Sequence, residues 1–314
     1  MNVLVTGGAG FIGSHLADRL IEDGHRVLVV DNESTGRIEN VPPAAKYIRA
    51  DVSNQEELEP AFAAGVDAVC HIAGHVSLIG SFADPIKDLR INLQGTVNVL
   101  QLCLRHRVPR LLYASSMTAY GRNGVLPTPE NTPCEPISYY GITKYAGERY
   151  VHTTAERPDL DFDFRVTSFR MYNVYGPRQA LDNPYQGVLG IFIGNVIRGE
   201  PITIFGDGEQ TRDFTFVDDA VKATICAATR GVPGRVYNIG GGSRVTLNHV
   251  LEIIGRVSGR QPIISVEPDQ KGDMRHTFAD TERARTDLAF APSMDLAHGL
   301  AAEHAWLKRT LDLL

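Results

Sequence analysis

The sequence predicts an α/β protein with a doubly wound parallel (Rossmann) sheet and a smaller mixed α/β substrate-binding domain. Short β-branched runs alternate with amphipathic stretches through the first half of the chain, which indicates strands joined by helices. A glycine-rich turn separates the first strand from the first helix. After Asn173 the alternation loosens, because Gly-Pro, Asn-Pro and glycine-rich steps divide the chain into short elements.

The elements of the first half follow in a regular order. The predicted strands cover residues 3–5, 26–30, 47–48, 68–71, 111–114 and 166–170. The predicted helices cover residues 12–23, 54–64, 89–106 and 140–156. A helix between two strands makes those strands parallel. We expect residues 1–173 to form the first domain, with returning segments from the C-terminal half. Residues 174–314 should mainly form a second domain over the carboxyl edge of the sheet, where such folds bind ligands.

The composition describes an enzyme-sized globular protein and argues against several other classes. Of the 314 residues, 43% are hydrophobic and 22% are charged, which is typical of a soluble protein. A net charge of −6 without Lys/Arg runs argues against nucleic-acid and anionic-membrane partners. Four scattered cysteines without C-x-x-C spacing argue against a disulfide framework or a zinc site. The chain opens in a strand and has no apolar run near the ~20 residues of a membrane span, so we expect no signal peptide and a cytoplasmic protein.

The glycine-rich turn at residues 6–13 (TGGAGFIG) follows a strand and opens a helix. Gly7 permits a tight turn, Gly10 lets a pyrophosphate approach the backbone, and Gly13 allows close contact between helix and strand. The free N–H groups of the helix N-terminus would then bind phosphates. Since glycine-rich turns also serve packing alone, the pattern needs support from the rest of the chain.

Asp31 gives that support at the end of the second strand. It follows Gly13 at close to the separation of about 20 residues expected for a carboxylate that binds the ribose hydroxyls of a dinucleotide. Such a carboxylate would repel a 2′-phosphate, so NAD is favoured, and Arg37 nearby keeps NADP as an alternative. Asp51 and Val52, which end the next strand region, are candidates for adenine contacts. For Asp51, a cap of the following helix is an equally open interpretation.

A tyrosine and a lysine four residues apart, Tyr140 and Lys144, form the candidate proton-transfer pair. On a helix this spacing places both side chains on one face. The lysine favours the phenolate and should bring the pKa of Tyr140 from about 10 toward neutral pH. Tyr140 is therefore a candidate general base beside a hydride carrier. Ser115 and Ser116, at the end of a preceding strand, add hydroxyl groups.

These features together resemble the extended short-chain dehydrogenase/reductase family. Within it the chain looks most like the nucleotide-sugar 4-epimerases of the UDP-glucose/UDP-galactose 4-epimerase type, over nearly its whole length. The motifs that carry the resemblance are TGGAGFIG (6–13), Asp31, HIAG (71–74), NLQGTVNVL (92–100), SSMTAYG (115–121), YGITK (140–144), MYNVYGPRQ (171–179), GDGEQTRDF (206–214) and GDMRHTFAD (272–280).

The resemblance implies a role for each residue that matches a family motif. Ser116 would hydrogen-bond the reacting sugar oxygen and Tyr140 would be the acid/base. Lys144 would lower the pKa of Tyr140 and hold the nicotinamide ribose. Asn92 would brace the site, where its alternative is a helix cap. The implied NAD contacts are Gly7, Gly10, Phe11, Ile12, Gly13, Asp31, Asn32, Asp51, Val52, Ala73, Asn92, Tyr140 and Lys144.

The resemblance also implies a substrate site for a UDP-sugar. Arg212 and Arg275 would bind phosphate or the uridine ribose with help from Asp273, because a planar guanidinium pairs bidentately with phosphate. The loop at 75–81 lacks the basic residue that some relatives place near position 79, so Ser77 and Ser81 are candidates for sugar contacts. The implied substrate contacts are Ser77, Ser116, Tyr140, Asn173, Arg212, Asp273 and Arg275. No metal is implied.

Three departures from the family pattern narrow the expected reaction. Sugar-nucleotide dehydratases and decarboxylases usually carry acidic residues just after the active hydroxyl, where this chain has Met117 and Thr118. Neither side chain exchanges protons at neutral pH, which argues against both reactions. Gln270 replaces a frequent arginine and leaves Arg275 as the expected phosphate partner. Thr277 replaces a larger residue and suggests a roomier sugar pocket.

Three further patterns have structural interpretations that we prefer. His71 and His75 have a metal-ligand spacing, but they fall at a strand end and in a loop rather than on one helix. Residues 218–219 (Asp-Asp) are interpreted as an N-cap of the following helix. Glu148, one turn after Lys144, is interpreted as its partner in a salt bridge on the helix face.

The resulting prediction is an NAD-dependent epimerase that inverts C4 of a UDP-sugar through a transient 4-keto intermediate. One alternative is a nucleotide-sugar oxidoreductase or ketoreductase with an exchangeable cofactor, and another is a catalytically silent NAD-sensing regulator. A homodimer is expected through the helices at 92–106 and 140–156, whose apolar residues include Val97, Leu100, Leu104, Tyr145 and Val151. The identity of the sugar stays open among glucose/galactose, N-acetylated hexoses and hexuronates.

Overall fold

The computed structural model describes residues 1–122, 124–179, 187–268 and 274–312. Seven parallel strands form the central sheet, in the order β11-β6-β5-β4-β1-β2-β3. Their bounds are β1 Asn2–Thr6, β2 Arg26–Asp31, β3 Lys46–Arg49, β4 Ala68–His71, β5 Arg110–Ser116, β6 Arg165–Met171 and β11 Arg235–Ile239. The doubly wound parallel sheet predicted from the sequence is thereby confirmed.

Helices cover both faces of this sheet. The helices of the first half are α1 Phe11–Glu22, α2 Gln55–Ala63, α3 Leu78–Ala83, α4 Pro85–Asp88, α5 Gly95–Arg105 and α6 Tyr139–Ala155. Those of the second half are α7 Val188–Arg198, α8 Val217–Arg230, α9 Leu247–Ser258, α10 Glu282–Leu288 and α11 Leu296–Asp312. Of the described helices, none is long and apolar enough to cross a bilayer.

The alternation of side chains along β1 explains the two core layers. Val3 and Val5 are buried with α1 and α8 on one face of the sheet. Leu4 is buried with α2, α5 and α6 on the other face. Successive residues of a strand point to opposite faces, so a strand between two helical layers is apolar throughout. The strand order reverses between β1 and β4, and the carboxyl ends of the strands meet there.

The second half of the chain adds three short strand pairs and a group of helices. The remaining strands are β7 Val174–Tyr175, β8 Ile202–Phe205, β9 Thr211–Arg212, β10 Thr215–Phe216, β12 Val245–Thr246 and β13 Ile264–Glu267. They pair as β10 with β7, β12 with β9 and β13 with β8. Helices α7, α9 and α11 contact one another, whereas β11 and α8 return to the central sheet.

Two details of the helices differ from the prediction: the type of the first turn of one helix and the N-cap of another. The helix predicted over 89–106 begins with a π-helical turn at Leu89–Gln94, and α5 follows it. Residues 218–219 are not an N-cap, because α8 begins at Val217 and both aspartates lie in its first turn. The Asp219 carboxylate is buried and accepts hydrogen bonds from Ser293 and from the Met294 N–H, so it ties α8 to a distant segment instead.

All four cysteines are free thiols. Cys70 in β4 and Cys103 in α5 are buried on opposite faces of the sheet. Burial raises the pKa of the Cys70 thiol to about 12. Cys134 and Cys226 are partly exposed.

Candidate active site

A cavity of about 750 Å³ opens at the carboxyl ends of the parallel strands. The ends of β1, β2, β4, β5 and β6 contribute to its wall, together with α6, α7 and the β8–β9 region. The predicted site residues that line it are Gly7, Gly10, Phe11, Ile12, Gly13, Asp31, Asn32, Val52, Ala73, Ser77, Ser116, Tyr140, Lys144, Asn173 and Arg212. The parallel sheet thus brings together residues that are far apart in the sequence.

The glycine turn between β1 and α1 has no room for side chains at two positions. Gly7 has a φ of +72°, and a Cβ there would lie 2.8 Å from the backbone of Ala73. A Cβ on Gly13 would lie 2.1 Å from the Gly7 carbonyl oxygen. Gly10 precedes the first residue of α1, and its N–H donates to the same carbonyl at 3.1 Å. The helix N-terminus therefore points its backbone N–H groups at the cavity over a surface free of side chains.

Asp31 lies at the cavity wall with its carboxylate held by backbone donors. It accepts hydrogen bonds from the N–H groups of Ala9 (3.0 Å) and Glu33 (2.8 Å). Burial raises the pKa of this carboxyl, and the two hydrogen bonds oppose that rise. Asn32 lines the cavity next to it, whereas Arg37 is not among the described lining residues.

Asp51 does not line the cavity with the other predicted cofactor contacts. Its carboxylate accepts from Asn32 Nδ2 at 2.9 Å and from the hydroxyl and N–H of Ser53. The helix-cap interpretation is wrong, because Asn54 caps α2 by accepting from the N–H of Glu56. Asp51 therefore positions Asn32, and Val52 is the neighbour that reaches the cavity.

Tyr140 and Lys144 are both buried on the inner face of α6 and both line the cavity. The Ser138 hydroxyl caps this helix by accepting from the Gly141 N–H at 3.0 Å, which fixes the turn that carries Tyr140. The Lys144 ammonium lies 4.6 Å from the centre of the Tyr113 ring, within cation–π range. Ser116 Oγ accepts from Thr118 Oγ1 at 2.9 Å at the end of β5.

The expected lowering of the pKa of Tyr140 is contradicted by the structure. Burial raises the pKa of Tyr140 to about 12, although a hydrogen bond from Ser116 opposes the rise and the Asp88 carboxylate adds to it. Burial also lowers the pKa of Lys144 to about 8, against the opposing charges of Asp88 and Glu148. The same burial that aligns the two groups disfavours the charge on each of them.

Asn92 lies behind the cavity rather than on its wall. It is buried within the π-helical turn and does not cap a helix. Its Oδ1 accepts from the His75 N–H at 2.8 Å, and its Nδ2 donates to the His75 carbonyl at 3.1 Å. Asn92 therefore fixes the backbone of the loop that follows β4.

Glu148 does not form the predicted salt bridge with Lys144. It is buried and pairs with Arg170 of β6, at 2.6 Å between Oε1 and Nη2. Ser115 donates a further hydrogen bond to Glu148 Oε2 at 2.7 Å. The helix spacing suggested a surface pair, but this face of α6 packs on the sheet.

The two histidines with metal-ligand spacing have other partners. His71 is buried against the hydroxyls of Thr6 and Thr96, and burial lowers its pKa to about 3. His75 Nδ1 lies 3.3 Å from an Asp88 carboxylate oxygen. Within the described ranges, no group of three His, Cys, Asp or Glu side chains could hold a metal ion.

Two of the predicted substrate residues lie on the cavity wall in the second half of the chain. Asn173, at a positive φ of 30°, donates to the Asp213 carbonyl at 2.8 Å. Arg212 is buried and donates to the carbonyls of Thr211 and Arg275. The Arg275 side chain lies outside the wall and pairs with Asp207 at 2.6 Å.

Five other predicted positions have different outcomes. Ser77 lines the cavity and caps α3 by accepting from the Gly80 N–H. Ser81 is fully buried and donates to the Leu78 carbonyl at 2.6 Å, so it is not at the wall. Thr277 is also buried away from the wall, so its size does not directly set the size of the pocket. Asp273 and Gln270 lie outside the described residues.

Several lining residues were not identified from the sequence. Phe205 and Gln210 line the cavity within or beside the motif GDGEQTRDF, whose predicted role rests on its arginine alone. Lys87 of α4 also reaches the wall. The motif offered a signal for the first two residues, whereas nothing in the local pattern around Lys87 distinguishes it from surface charge.

Comparisons with known proteins agree on one family. The sequence model described as "NAD dependent epimerase/dehydratase family" matches residues 3–240. The UDP-glucose 4-epimerase of Mycolicibacterium smegmatis is 35% identical over 315 residues, which covers 96% of each chain.

Two solved structures are also similar over almost the whole chain. The UDP-glucose 4-epimerase of Thermotoga maritima, crystallised with UDP-glucose, has a TM-score of 0.94 at 37% identity and covers 99% of this chain and 100% of its own. The UDP-glucose 4-epimerase of Thermus thermophilus, in complex with NAD, has a TM-score of 0.91 at 32% identity and covers 98% of this chain and 99% of its own.

Proposed function

The chain belongs to the NAD dependent epimerase/dehydratase family, and on that premise we propose that it is an NAD-dependent 4-epimerase of a UDP-sugar. One observation carries the proposal: Ser116, Tyr140 and Lys144 line the same cavity as the glycine turn and Asp31. A proton-transfer pair and a dinucleotide cradle in one cavity are what hydride chemistry at a carbinol requires.

The described residues fit NAD at the sheet end of the cavity. Gly7 and Gly13 leave a surface that a Cβ would fill, and α1 presents its N-terminus there. Asp31 would accept from the ribose hydroxyls, and Lys144 would hold the second ribose. When bound, NAD supplies the acceptor and donor of the hydride at C4, together with a positive charge.

Tyr140 would remove the proton from the sugar 4-hydroxyl, and Ser116 would hydrogen-bond the same oxygen. A phenol with a pKa of about 12 ionises poorly at neutral pH, so positive charge near it must favour the phenolate. The Lys144 ammonium supplies part of that charge from the next turn of α6. After the 4-keto sugar has turned its other face to the site, Tyr140 would return the proton.

The nucleotide and diphosphate would hold the substrate while the hexose turns. We assign the diphosphate to Arg212 and Asn173, both on the wall. Arg275 would join them only by leaving Asp207, to which it is bound here. In this proposal residues 1–173 bind mainly the dinucleotide, and residues 174–314 bind mainly the nucleotide-sugar. Binding energy from the nucleotide and diphosphate then supports the reaction at the sugar ring, which is held loosely enough to turn.

Met117 and Thr118 favour epimerisation over dehydration or decarboxylation. Thr118 uses its hydroxyl to donate to Ser116, and the Met117 sulfur lies 3.9 Å from the Asn173 amide. Neither side chain can remove or deliver a proton at a second sugar carbon near neutral pH. An inversion at C4 needs only the proton exchange that Tyr140 provides.

The decisive experiment is to incubate the purified protein, without added cofactor, with a panel of UDP-hexoses, UDP-N-acetylhexosamines and UDP-hexuronates. We expect chromatography to show interconversion of one or more pairs of C4 epimers. Tyr140→Phe should lower turnover by about 10²-fold or more while its bound NAD content stays unchanged. Stoichiometric NADH without an epimer would favour the oxidoreductase alternative. Cofactor binding without turnover of any sugar would favour the NAD-sensing regulator.

We also propose that the protein is a homodimer through α6 and the helical segment before α5, although two of the five apolar residues named from the sequence lie elsewhere. Leu100 and Val151 are buried in the core and cannot form the interface. The exposed apolar residues of this region include Phe82, Ile86, Leu89, Tyr139, Ile142 and Tyr150, each between 45 and 69% exposed. The rings of Phe82 and Tyr139 contact each other, and a group of exposed apolar side chains is typical of a protein interface. Analytical ultracentrifugation should show a dimer that Ile142→Glu dissociates, and a monomeric parent protein would contradict the proposal.

A cytoplasmic location remains part of the proposal. The free thiols of the chain support it, because disulfides are rare in a reducing compartment. Fractionation of the source cells, with immunodetection of the protein, measures the location directly. Recovery outside the cytoplasmic fraction would contradict it.

A further inference from the structure

We propose that Asp88 is a positioning residue of the epimerisation site: its buried carboxylate joins the His75 loop to α6 and places a negative charge at the turn of α6 that carries Tyr140 and Lys144. This inference rests on the proposed function, because it assigns a task in proton transfer. Asp88 is the last residue of α4 and is completely buried, yet it is not on the cavity wall. A buried charge is costly unless it is hydrogen-bonded, so its surroundings show what it does.

Three side chains from three segments bind this carboxylate. Thr143 Oγ1 of α6 donates to Oδ2 at 2.6 Å. Asn92 Nδ2 donates to Oδ1 at 3.0 Å, and His75 Nδ1 lies 3.3 Å from the same oxygen. The Asp88 carboxylate therefore links the His75 loop, the π-helical turn and α6.

Thr143 connects this carboxylate to the reacting groups. It directly precedes Lys144 in α6, and its hydroxyl also lies 3.1 Å from the Tyr140 carbonyl. Gly74 gives a second connection, since a Cβ there would lie 2.9 Å from Asn92 Oδ1 and 3.7 Å from Lys144 Nζ. The amide that Asp88 holds and the Lys144 ammonium therefore both border the small space above Gly74.

The other titratable groups around Lys144 have other partners or are uncharged. Glu148 of α6 forms a two-point pair with Arg170 of β6. His71 of β4 is kept neutral by burial, and the ring of Tyr113 of β5 contacts the ammonium with its face. Only one of the described ion pairs includes Asp88, and its partner is His75.

The Asp88 charge acts on both members of the proton-transfer pair in the same direction. It raises the pKa of Lys144 against the lowering caused by burial, and it raises the pKa of Tyr140 further. Removal of this charge should therefore shift both ionisations to lower pH. A purely structural role would weaken folding without that shift.

Asp88→Asn removes the charge and keeps the shape. The Asn oxygen can accept from Asn92 and His75, while its amide donates to Thr143, whose hydroxyl can turn to the Tyr140 carbonyl. Thr143→Val is the matched control, because it breaks the link to α6 and leaves the charge. Asp88→Ser is a second neutral replacement in case the first does not fold.

The test measures ionisation of Tyr140 directly, by ultraviolet difference titration of each NAD-loaded protein against its Tyr140→Phe counterpart. We expect Asp88→Asn to titrate about one pH unit below the wild type and to move both limbs of the kcat profile the same way. Thr143→Val should lower kcat with the titration unchanged.

Coincident titrations of Asp88→Asn and the wild type would overturn the proposal, as would a failure of both neutral replacements to fold. The titration does not depend on turnover. If the wild type epimerises no UDP-sugar, the proposed function fails, whereas the effect of Asp88 on Tyr140 is still measured.

Discussion

Arg170 and Glu148 form a buried two-point ion pair that joins β6 to the helix that carries the proton-transfer residues. The distances are 2.6 Å from Nη2 to Oε1 and 3.0 Å from Nε to Oε2. The Arg170 guanidinium also lies 4.6 Å from the centre of the Tyr120 ring. Because α6 also carries Tyr140 and Lys144, this ion pair holds the helix of both residues against β6.

Breaking this pair should strongly destabilise the protein. Glu148→Leu leaves the Arg170 charge buried without its partner, so we expect the free energy of unfolding to fall by about 3–5 kcal/mol in urea titrations. Glu148→Leu with Arg170→Met should recover most of that loss, because no unpaired charge remains. Asp161→Ala is the control, since it breaks an exposed pair with Arg107 and should change stability little. A double variant no more stable than the single one would contradict this account.

Gly13→Ala should disrupt the dinucleotide cradle. The new Cβ would meet the Gly7 carbonyl at 2.1 Å, so the turn must shift and the N-terminus of α1 with it. We expect NAD affinity, measured by calorimetry, to fall by about tenfold or more, which corresponds to ~1.4 kcal/mol. Gly24→Ala is a strict control: it has a φ of +81° and open space around it, so it adds backbone strain without a collision. Equal losses of NAD affinity in both variants would contradict the cradle.

Asp31→Ser should weaken NAD binding and reduce discrimination against NADP. Loss of a charged acceptor for the ribose hydroxyls should lower NAD affinity by about tenfold or more. Removal of the negative charge should at the same time improve the relative binding of the 2′-phosphate. Competition calorimetry with both dinucleotides measures the ratio. Asp51→Asn serves as the comparison, because Asp51 lies off the cavity wall and should affect NAD less. A larger effect of Asp51→Asn would reverse the two roles.

Glu303 should make folding stability depend on pH. This carboxyl in α11 is buried with both oxygens unpaired in the described part of the protein, and burial raises its pKa to about 8 from 4.5. The folded state therefore holds a proton that the unfolded state releases, so stability falls as pH rises from about 4.5 to 8. Glu303→Gln should be close to the wild type at pH 4.5 and exceed its unfolding free energy at pH 8.5 by on the order of 5 kcal/mol. Parallel thermal melts of both proteins at the two pH values measure the difference in stability.

The exposed Glu22→Gln is the matched control for Glu303. It replaces a carboxylate in contact with water, so the dependence on pH should stay that of the wild type. An identical stability gain of Glu303→Gln at both pH values would show that the buried carboxyl does not titrate in this interval.

The order of strands and helices in the first half could be predicted, because local periodicity decides it. Each of the six predicted strands is present, and the helix predicted over 140–156 is observed at Tyr139–Ala155. The strand Arg235–Ile239 was not identified individually, since its partner β6 is far away in the sequence. The π-helical turn at Leu89–Gln94 also has no periodic signal, because it differs from an α-helix by a single hydrogen-bond step.

The positions of the candidate residues could be predicted better than their environments. Family motifs led to Ser116, Tyr140 and Lys144, which the structure places on one cavity wall. Their pKa values depend on burial, and burial depends on how α6 packs on the sheet. Likewise, the partner of Glu148 is Arg170 of strand β6 and not a residue of its own helix. Contacts between distant segments are what a single sequence leaves undetermined.

The two buried thiols can report local opening of the protein. Cys70 and Cys103 lie in opposite layers and are shielded from reagents, so each can be alkylated only when its layer opens. With Cys134 and Cys226 replaced by serine, pulse labelling followed by mass spectrometry would time the opening of the two layers separately. Ligands that tighten one side of the sheet would then slow one reaction and leave the other unaltered.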